Sequence, residues 1–262
     1  MKNPNHKRRI RFPFWALVIV TGTILLSGAT SQMETKPVWS LAATGDAILS
    51  HRFSCYDDPL FMKWVNIVRN ADVGFTNLEG SLFSLRGFKG WPAPESGLGH
   101  ERGDPGAAED LKWAGFDLIL RANNHTTDWG IEGMIATSEV LDKAGLVHAG
   151  CGMTLSEASL ASYLDTNKGR FALIGLATSY TPMSAAGEMR SAIKGRPGLN
   201  PLRVERTYQL EPKKMSELRS IMAALGMRMP ESEKEPVRFL RNTFVQGAEN
   251  KVLGKRNSDD EE

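Results

Sequence analysis

The chain has 262 residues, of which 41% are hydrophobic and 24% charged, with a formal net charge of +2 and a mean hydropathy of −0.28. This is an ordinary globular composition, with enough apolar material for a sizeable core in one large domain or two small ones. A net charge so near zero gives no global case for a nucleic-acid partner.

At the amino end, Lys7-Arg8-Arg9 and Arg11 precede an apolar run from Phe12 to Ala29. A positive segment followed by an apolar one reads as a secretory signal. At about 18 residues the run is also near the lower limit for spanning a bilayer. Cleavage around Ser27, Ala29 or Ser31 and retention as a membrane anchor therefore both stay open. In either case the positive flank stays cytoplasmic and the rest is exported, either periplasmic (extracytoplasmic) or anchored in the cytoplasmic membrane. Residues 1–37 are leader or anchor plus linker. The exported part holds two cysteines, Cys55 and Cys151. An oxidising compartment permits a disulfide between them, but two separate buried thiols are expected. Their spacing excludes a zinc knuckle or a two-cysteine redox motif.

Val38 to Thr44 predicts a buried strand that stops at Gly45-Asp46. Pro59 to Asn70 predicts an amphipathic helix entered at its proline, and Val73 to Thr76 a short strand. Gly80 to Gly106 is rich in Gly and Pro and reads as a long surface loop. Helices are expected over 107–114 and 131–144, closed by Gly115 and Gly145. Strands are expected over 116–121 and 146–149, then a helix over 154–163, a strand over 171–177 and a last helix over 212–225. Residues 226–262 read as a charged tail ending in an acidic tip. The alternation over 38–225 argues for one α/β domain.

In an open α/β sheet, side chains just past the carboxyl ends of the strands converge on one crevice. Asp46, Glu79 and Asn123-Asn124-His125 occupy such positions. Two carboxylates and an amide oxygen suit a hard or borderline divalent cation, and an adjacent imidazole can protonate a leaving oxygen. Each piece also has an ordinary explanation. Gly-Asp is a common strand-ending turn, and Asn77 and Glu79 serve equally as turn and surface residues. Asp128 is placed to cap the next helix and lies close enough in sequence to orient His125. His51 could reach the crevice but reads first as an exposed loop residue, His148 reads as a strand-end residue at the crevice rim, and His100 and Arg121 read as solvated surface, with contact to an anionic substrate as the alternative. Trp64 and Trp113 read as core, and Met215, Met222, Met227 and Met229 as filler on a helix and its end.

Taken in order, Gly45-Asp46, Asn77-Leu78-Glu79, Asn123-Asn124-His125 with Asp128 and Gly130, and His148-Ala149-Gly150 resemble the bacterial capsule-synthesis CapA family, over roughly Leu41 to Ala177. That family is associated with poly-gamma-glutamate capsule production and looks related to the calcineurin-like metallophosphoesterases. The resemblance implies an α/β, metallophosphoesterase-like sandwich of two sheets flanked by helices, with a two-metal site in the complete fold. It implies metal-dependent phosphoester hydrolysis, with Asp46, Glu79 and Asn124 as metal ligands and His125 as acid or oxyanion stabiliser. The family's strand-end His-Trp-Gly segment and its histidine cluster have no counterpart after His148. The expectation is therefore a truncated fold complete only in its N-terminal half, with a weakened site for a divalent metal ion. Three readings are open to such a chain: hydrolysis of a phosphoester, a non-catalytic role in capsule assembly or export that binds an anionic polymer or membrane partners, or an inactive truncated fragment.

Overall fold

A computed structural model of the chain describes residues 39–93, 99–232, 235–240 and 242–256. The expected leader or anchor and the acidic tip lie outside the described residues. Among those described, no helix is long and apolar enough to cross a membrane.

Strand β1 (Leu41–Ala47) leads through helix α1 (Pro59–Arg69) to β2 (Val73–Leu78). Two-residue strands β3 (Ser81–Leu82) and β4 (Arg102–Gly103) pair inside the long loop that follows. The chain then runs through α2 (Ala107–Trp113), β5 (Leu118–Leu120), α3 (Gly130–Lys143) and β6 (Val147–Ala149). Strands β1, β2, β5 and β6 form one sheet in that order, every pair parallel. Because spatial order follows chain order, right-handed crossovers carry α1, α2 and α3 to the same face.

Local signals explain these boundaries. The Asp58 carboxylate accepts the N–H groups of Leu60 and Phe61 at 2.9 and 3.1 Å, and Pro59 fills the first helical position. Gly115 closes α2 at φ +95°, and a Cβ on Gly74 would stand 2.2 Å from the Gly115 carbonyl, so β2 and this turn meet only as glycines. The core forms where Leu78 and Ile119 of the sheet meet Ala108 and Leu111 of α2 and Leu141 of α3, none more than 1% exposed. Each such large side chain contributes about 1.5–3 kcal/mol on burial.

Beyond the sheet come β7 (Cys151–Gly152), α4 (Leu155–Ser159), the hairpin β8 (Ser162–Thr166) with β9 (Gly169–Leu173), and β10 (Gly198–Leu199), which pairs with β7. The expected helix over 154–163 stops at Ser159 because Leu160 turns extended and the next residues enter the hairpin. The strand expected over 171–177 lies earlier and ends at Leu173.

A second sheet follows, from β11 (Val204–Leu210), α5 (Pro212–Ala224), β12 (Val237–Phe239), β13 (Asn242–Gln246) and β14 (Lys251–Arg256), in the order β12-β13-β11-β14. The stretch expected to be a charged tail thus supplies three of its strands. They are three to six residues long, too short for a period to stand out among charged neighbours. Met215 and Met222 of α5 pack on Val237, so the methionines are core filler as expected. The cysteines are both free thiols, but Cys55 is exposed rather than buried.

Candidate functional site

Parallel strands in register end together, and this builds the crevice. Asp46 pairs with Asn77 after a slip in the β1 register, and Asn77 pairs with Leu120. Asp46, Glu79 just past β2, and the turn after β5 are thereby gathered at one end of the sheet. The Thr126 hydroxyl ties that turn, 2.6 Å from the Arg121 carbonyl and accepting the Asn123 N–H at 3.0 Å.

A relay of amides then fixes the first carboxylate. Asn123 is buried and donates its side-chain amide to Asn77 Oδ1 at 2.9 Å and to the Leu78 carbonyl at 2.8 Å. Asn77 donates to Asp46 Oδ1 at 2.8 Å. The Asn123 oxygen accepts the His125 N–H at 3.1 Å, which orients the turn carrying the imidazole.

His125 stands between two carboxylates. Its Nδ1 lies 2.7 Å from Asp128 Oδ2, and its Nε2 lies 3.6 Å from Glu79 Oε1. Asp128 is completely buried and also accepts the Glu101 N–H at 3.1 Å. The expected capping role of Asp128 is not observed: Trp129 occupies the N-cap of α3 with no side-chain cap bond. Asp128 instead holds the ring. The long loop folds back over this turn, with Ala93 N–H donating to the Asp128 carbonyl at 2.7 Å.

The two crevice carboxylates are driven apart in acidity. Burial, then the hydrogen bond and charge of Asp46, push the Glu79 carboxyl above its ordinary value. The Asn77 amide, followed by Glu79, holds Asp46 below its own. Both shifts describe one arrangement, in which Asp46 is the better anion and Glu79 keeps a proton more readily.

Asp46, Glu79 and His125 come together as the sequence suggests, and Asn124 sits half-buried on the same turn as His125. The other histidines do not join them. His51 is exposed, with Nδ1 2.8 Å from the Ser50 hydroxyl, and His100 lies against Trp129 at 5.8 Å. His148 is within β6 and pairs with Asp142 of α3 at 3.1 Å. Arg121, expected at the surface, is completely buried behind the turn, and Trp64, expected in the core, is 69% exposed. Asn77 and Asn123 thus act through the hydrogen bonds that hold Asp46, and the signal for them in the sequence is a strand-end amide in both segments.

Among the described residues no three His, Cys, Asp or Glu side chains are grouped to hold a metal ion. What the crevice offers is one wall: the Asp46 and Glu79 carboxylates at the strand ends, with Asn124 on the turn that carries His125. That donor set is chemically suited to a hard divalent cation, with further ligands required from elsewhere.

Residues 18–224 match the family described as "Bacterial capsule synthesis protein PGA_cap". Two uncharacterized proteins of Sinorhizobium fredii, y4sH and y4uA, are each 40% identical over 205 residues, covering 78% of this chain and 44% of theirs. The capsule biosynthesis protein CapA of Bacillus anthracis is 33% identical over 88 residues, or 34% of this chain and 20% of CapA. The chain therefore spans less than half the length of the curated relatives it matches.

Proposed function

The chain belongs to the PGA_cap family of bacterial capsule synthesis proteins, and from that premise we propose that its crevice is the carboxylate–imidazole wall of a metal-dependent phosphoester hydrolase acting in capsule biosynthesis outside the cytoplasm. The parallel sheet is then the first sheet of a metallophosphoesterase-like sandwich. The observation that carries this reading is an imidazole held at 2.7 Å by a buried carboxylate and facing Glu79 at 3.6 Å, at the sheet end where Asn77 holds Asp46 at 2.8 Å.

Asp46, Glu79 and Asn124 would hold the cation, which would supply Lewis-acid polarisation of a phosphoester. The chain's own contribution is proton management. A His125 ring bound through Nδ1 to Asp128 exposes Nε2 toward Glu79, where a proton can be held for a leaving oxygen. The Asn123–Asn77–Asp46 relay fixes the carboxylate in place before any ligand arrives.

A second reading is a non-catalytic assembly or export factor that binds an anionic polymer such as poly-gamma-glutamate. Metal analysis and phosphodiesterase assays of the purified chain, beside Asp46→Ala and His125→Ala, separate the two. Hydrolysis lost in both variants supports the enzyme. Metal loss in Asp46→Ala with no hydrolysis by any form supports the binding factor.

A further inference from the structure

A buried arginine ordinarily meets a carboxylate, because a charge taken out of water is costly unless it is paired. Arg121 does not. It directly follows β5 and is completely buried. Its Nη1 donates to the Ser138 hydroxyl of α3 at 3.4 Å, and its Nη2 has no hydrogen-bond partner among the described residues. Asp142 acts on its charge but is largely exposed and pairs with His148 at 3.1 Å.

The neighbouring group that can set a negative charge against this guanidinium is a thiol. Cys151 of β7 has its Sγ 4.0 Å from the Ser138 hydroxyl, the same hydroxyl that Arg121 reaches. Burial pushes the Arg121 guanidinium below its ordinary value, and Cys151, ahead of Asp142, works against that shift. The thiol is free and half-buried. It opens on a pocket of about 270 Å³ whose lining includes Ser138, His148 and the carboxylates Glu139, Asp142 and Glu157. His148 does not compete as a second cation, since burial, and then the charge of Arg121, hold it below its ordinary value. The pocket thus has a fixed cation behind its wall and a sulfur atom in the wall.

We propose that Cys151 is a reactive thiol, a modification site whose thiolate form pairs with the buried Arg121 guanidinium and which small electrophiles, hydroperoxides above all, reach through this pocket. The thiolate is the nucleophilic form of cysteine, and an adjacent cation favours it. In the reaction the Cys151 sulfur attacks the terminal oxygen of the hydroperoxide. An S–O bond forms as the O–O bond breaks, and sulfur gives up two electrons to the peroxide. The other oxygen leaves with the bonding pair as hydroxide or alkoxide and takes up the proton that the thiol lost. The product is a sulfenic acid. Cys55 supplies the contrast within the same chain. It is free and exposed, its Sγ faces the Arg52 carbonyl at 3.9 Å, and the Arg52 guanidinium is taken up by Asp110. Exposure by itself ranks Cys55 first, whereas pairing with Arg121 ranks Cys151 first. The inference does not depend on the cation reading, since neither Cys151 nor the Arg121 side chain belongs to the crevice wall.

The test is a competition between the two thiols of the full 262-residue chain. The reduced protein is treated with limiting iodoacetamide, an uncharged reagent that the carboxylates of the pocket do not repel. A second sample receives hydrogen peroxide followed by dimedone, which traps sulfenic acid. Peptide mass spectrometry reads the label at each cysteine. Cys151 should be alkylated on the order of tenfold faster than Cys55, and the dimedone adduct should form at Cys151. Arg121→Met, with circular dichroism matching the unsubstituted chain, should slow Cys151 by about the same factor and leave Cys55 unchanged, and Arg121→Lys should restore the faster rate. If Arg121→Met fails to fold, the rate ratio and the dimedone adduct of the unsubstituted chain decide by themselves. The proposal is overturned if Cys55 reacts as fast as Cys151, if no dimedone adduct forms at Cys151, or if folded Arg121→Met reacts at the parent's rate.

Discussion

Asn123 reaches across to Asn77 at 2.9 Å, and through it the turn after β5 governs a carboxylate on β1. Neither amide needs to touch a ligand to matter. Asn123→Ala removes the bonds to Asn77 and to the Leu78 carbonyl, the latter buried. Leaving such a group unpaired costs about 1–3 kcal/mol. Chemical denaturation should show a loss in that range, and calorimetry should show weaker binding of Mn²⁺ than in the parent, although no proposed ligand has been changed.

Glu79 gives a prediction in pH. Its carboxyl is raised in the fold by burial and by Asp46, so the folded state holds the proton more tightly than the unfolded chain does. That contribution to stability is complete below the ordinary glutamate range and is lost as pH rises through the raised value. Glu79→Gln should therefore melt higher than the parent at pH 7 and show less decline between pH 4 and 7. Divalent cation should reverse the order. At 100 times its Kd it adds about 2.7 kcal/mol to a protein that binds it, so added Mn²⁺ should raise the parent's melting temperature more than the variant's. Equal shifts in both would remove Glu79 from the cation site.

The loop leading into α1 is anchored by Asp110 on α2. Its carboxylate accepts Arg52, the Phe53 N–H at 2.6 Å, and both the N–H (3.1 Å) and hydroxyl (2.8 Å) of Ser54, while none of Asp110 is exposed. Burial alone would raise its pKa, yet Arg52 and the Ser54 and Phe53 donors hold it well below the usual carboxylate range. Stability from this group is thus present above the ordinary aspartate value and lost as pH falls below it. Asp110→Ala should cost about 3 kcal/mol or more. It should also flatten the acid limb of a stability–pH curve below about pH 4, with no effect on cation affinity.

Asp128 is the positioning residue for His125. Asp128→Asn keeps the shape but replaces the carboxylate that faces Nδ1 at 2.7 Å. If the chain hydrolyses phosphodiesters, kcat should fall on the order of 10²-fold or more with little change in KM. The ¹⁵N signals of His125 should report an altered tautomer. An unchanged tautomer with unchanged kcat would remove Asp128 from the positioning of His125.

Much of this was legible in one sequence. Buried strands, the proline-entered helix and the glycine stops at Gly115 and Gly145 are local events, set by side-chain period and by the backbone freedom of glycine. The candidate site was legible because strand-end segments in a parallel sheet share one edge, so Asp46, Glu79 and His125 had to lie close together. The failures have physical causes too. Asp128 looked like a cap because caps are recognised by position, yet the N-cap falls on Trp129 and the Asp128 carboxylate meets the imidazole three residues earlier at 2.7 Å. Trp64 looked like core because its helix is apolar, but the sheet edge that would bury it has no neighbour among the described residues.

The sequence by itself determined which residue types end each strand, and hence the family and the chemistry gathered at the crevice. Only the tertiary structure decided how those groups are held: the register that places Asp46 beside Asn77, the buried amide that spans two turns, and the sharing of one imidazole between Glu79 and Asp128. Composition and spacing fix what a strand end carries. Distances between residues thirty to eighty positions apart follow from sheet register and packing, which depend on every strand at once.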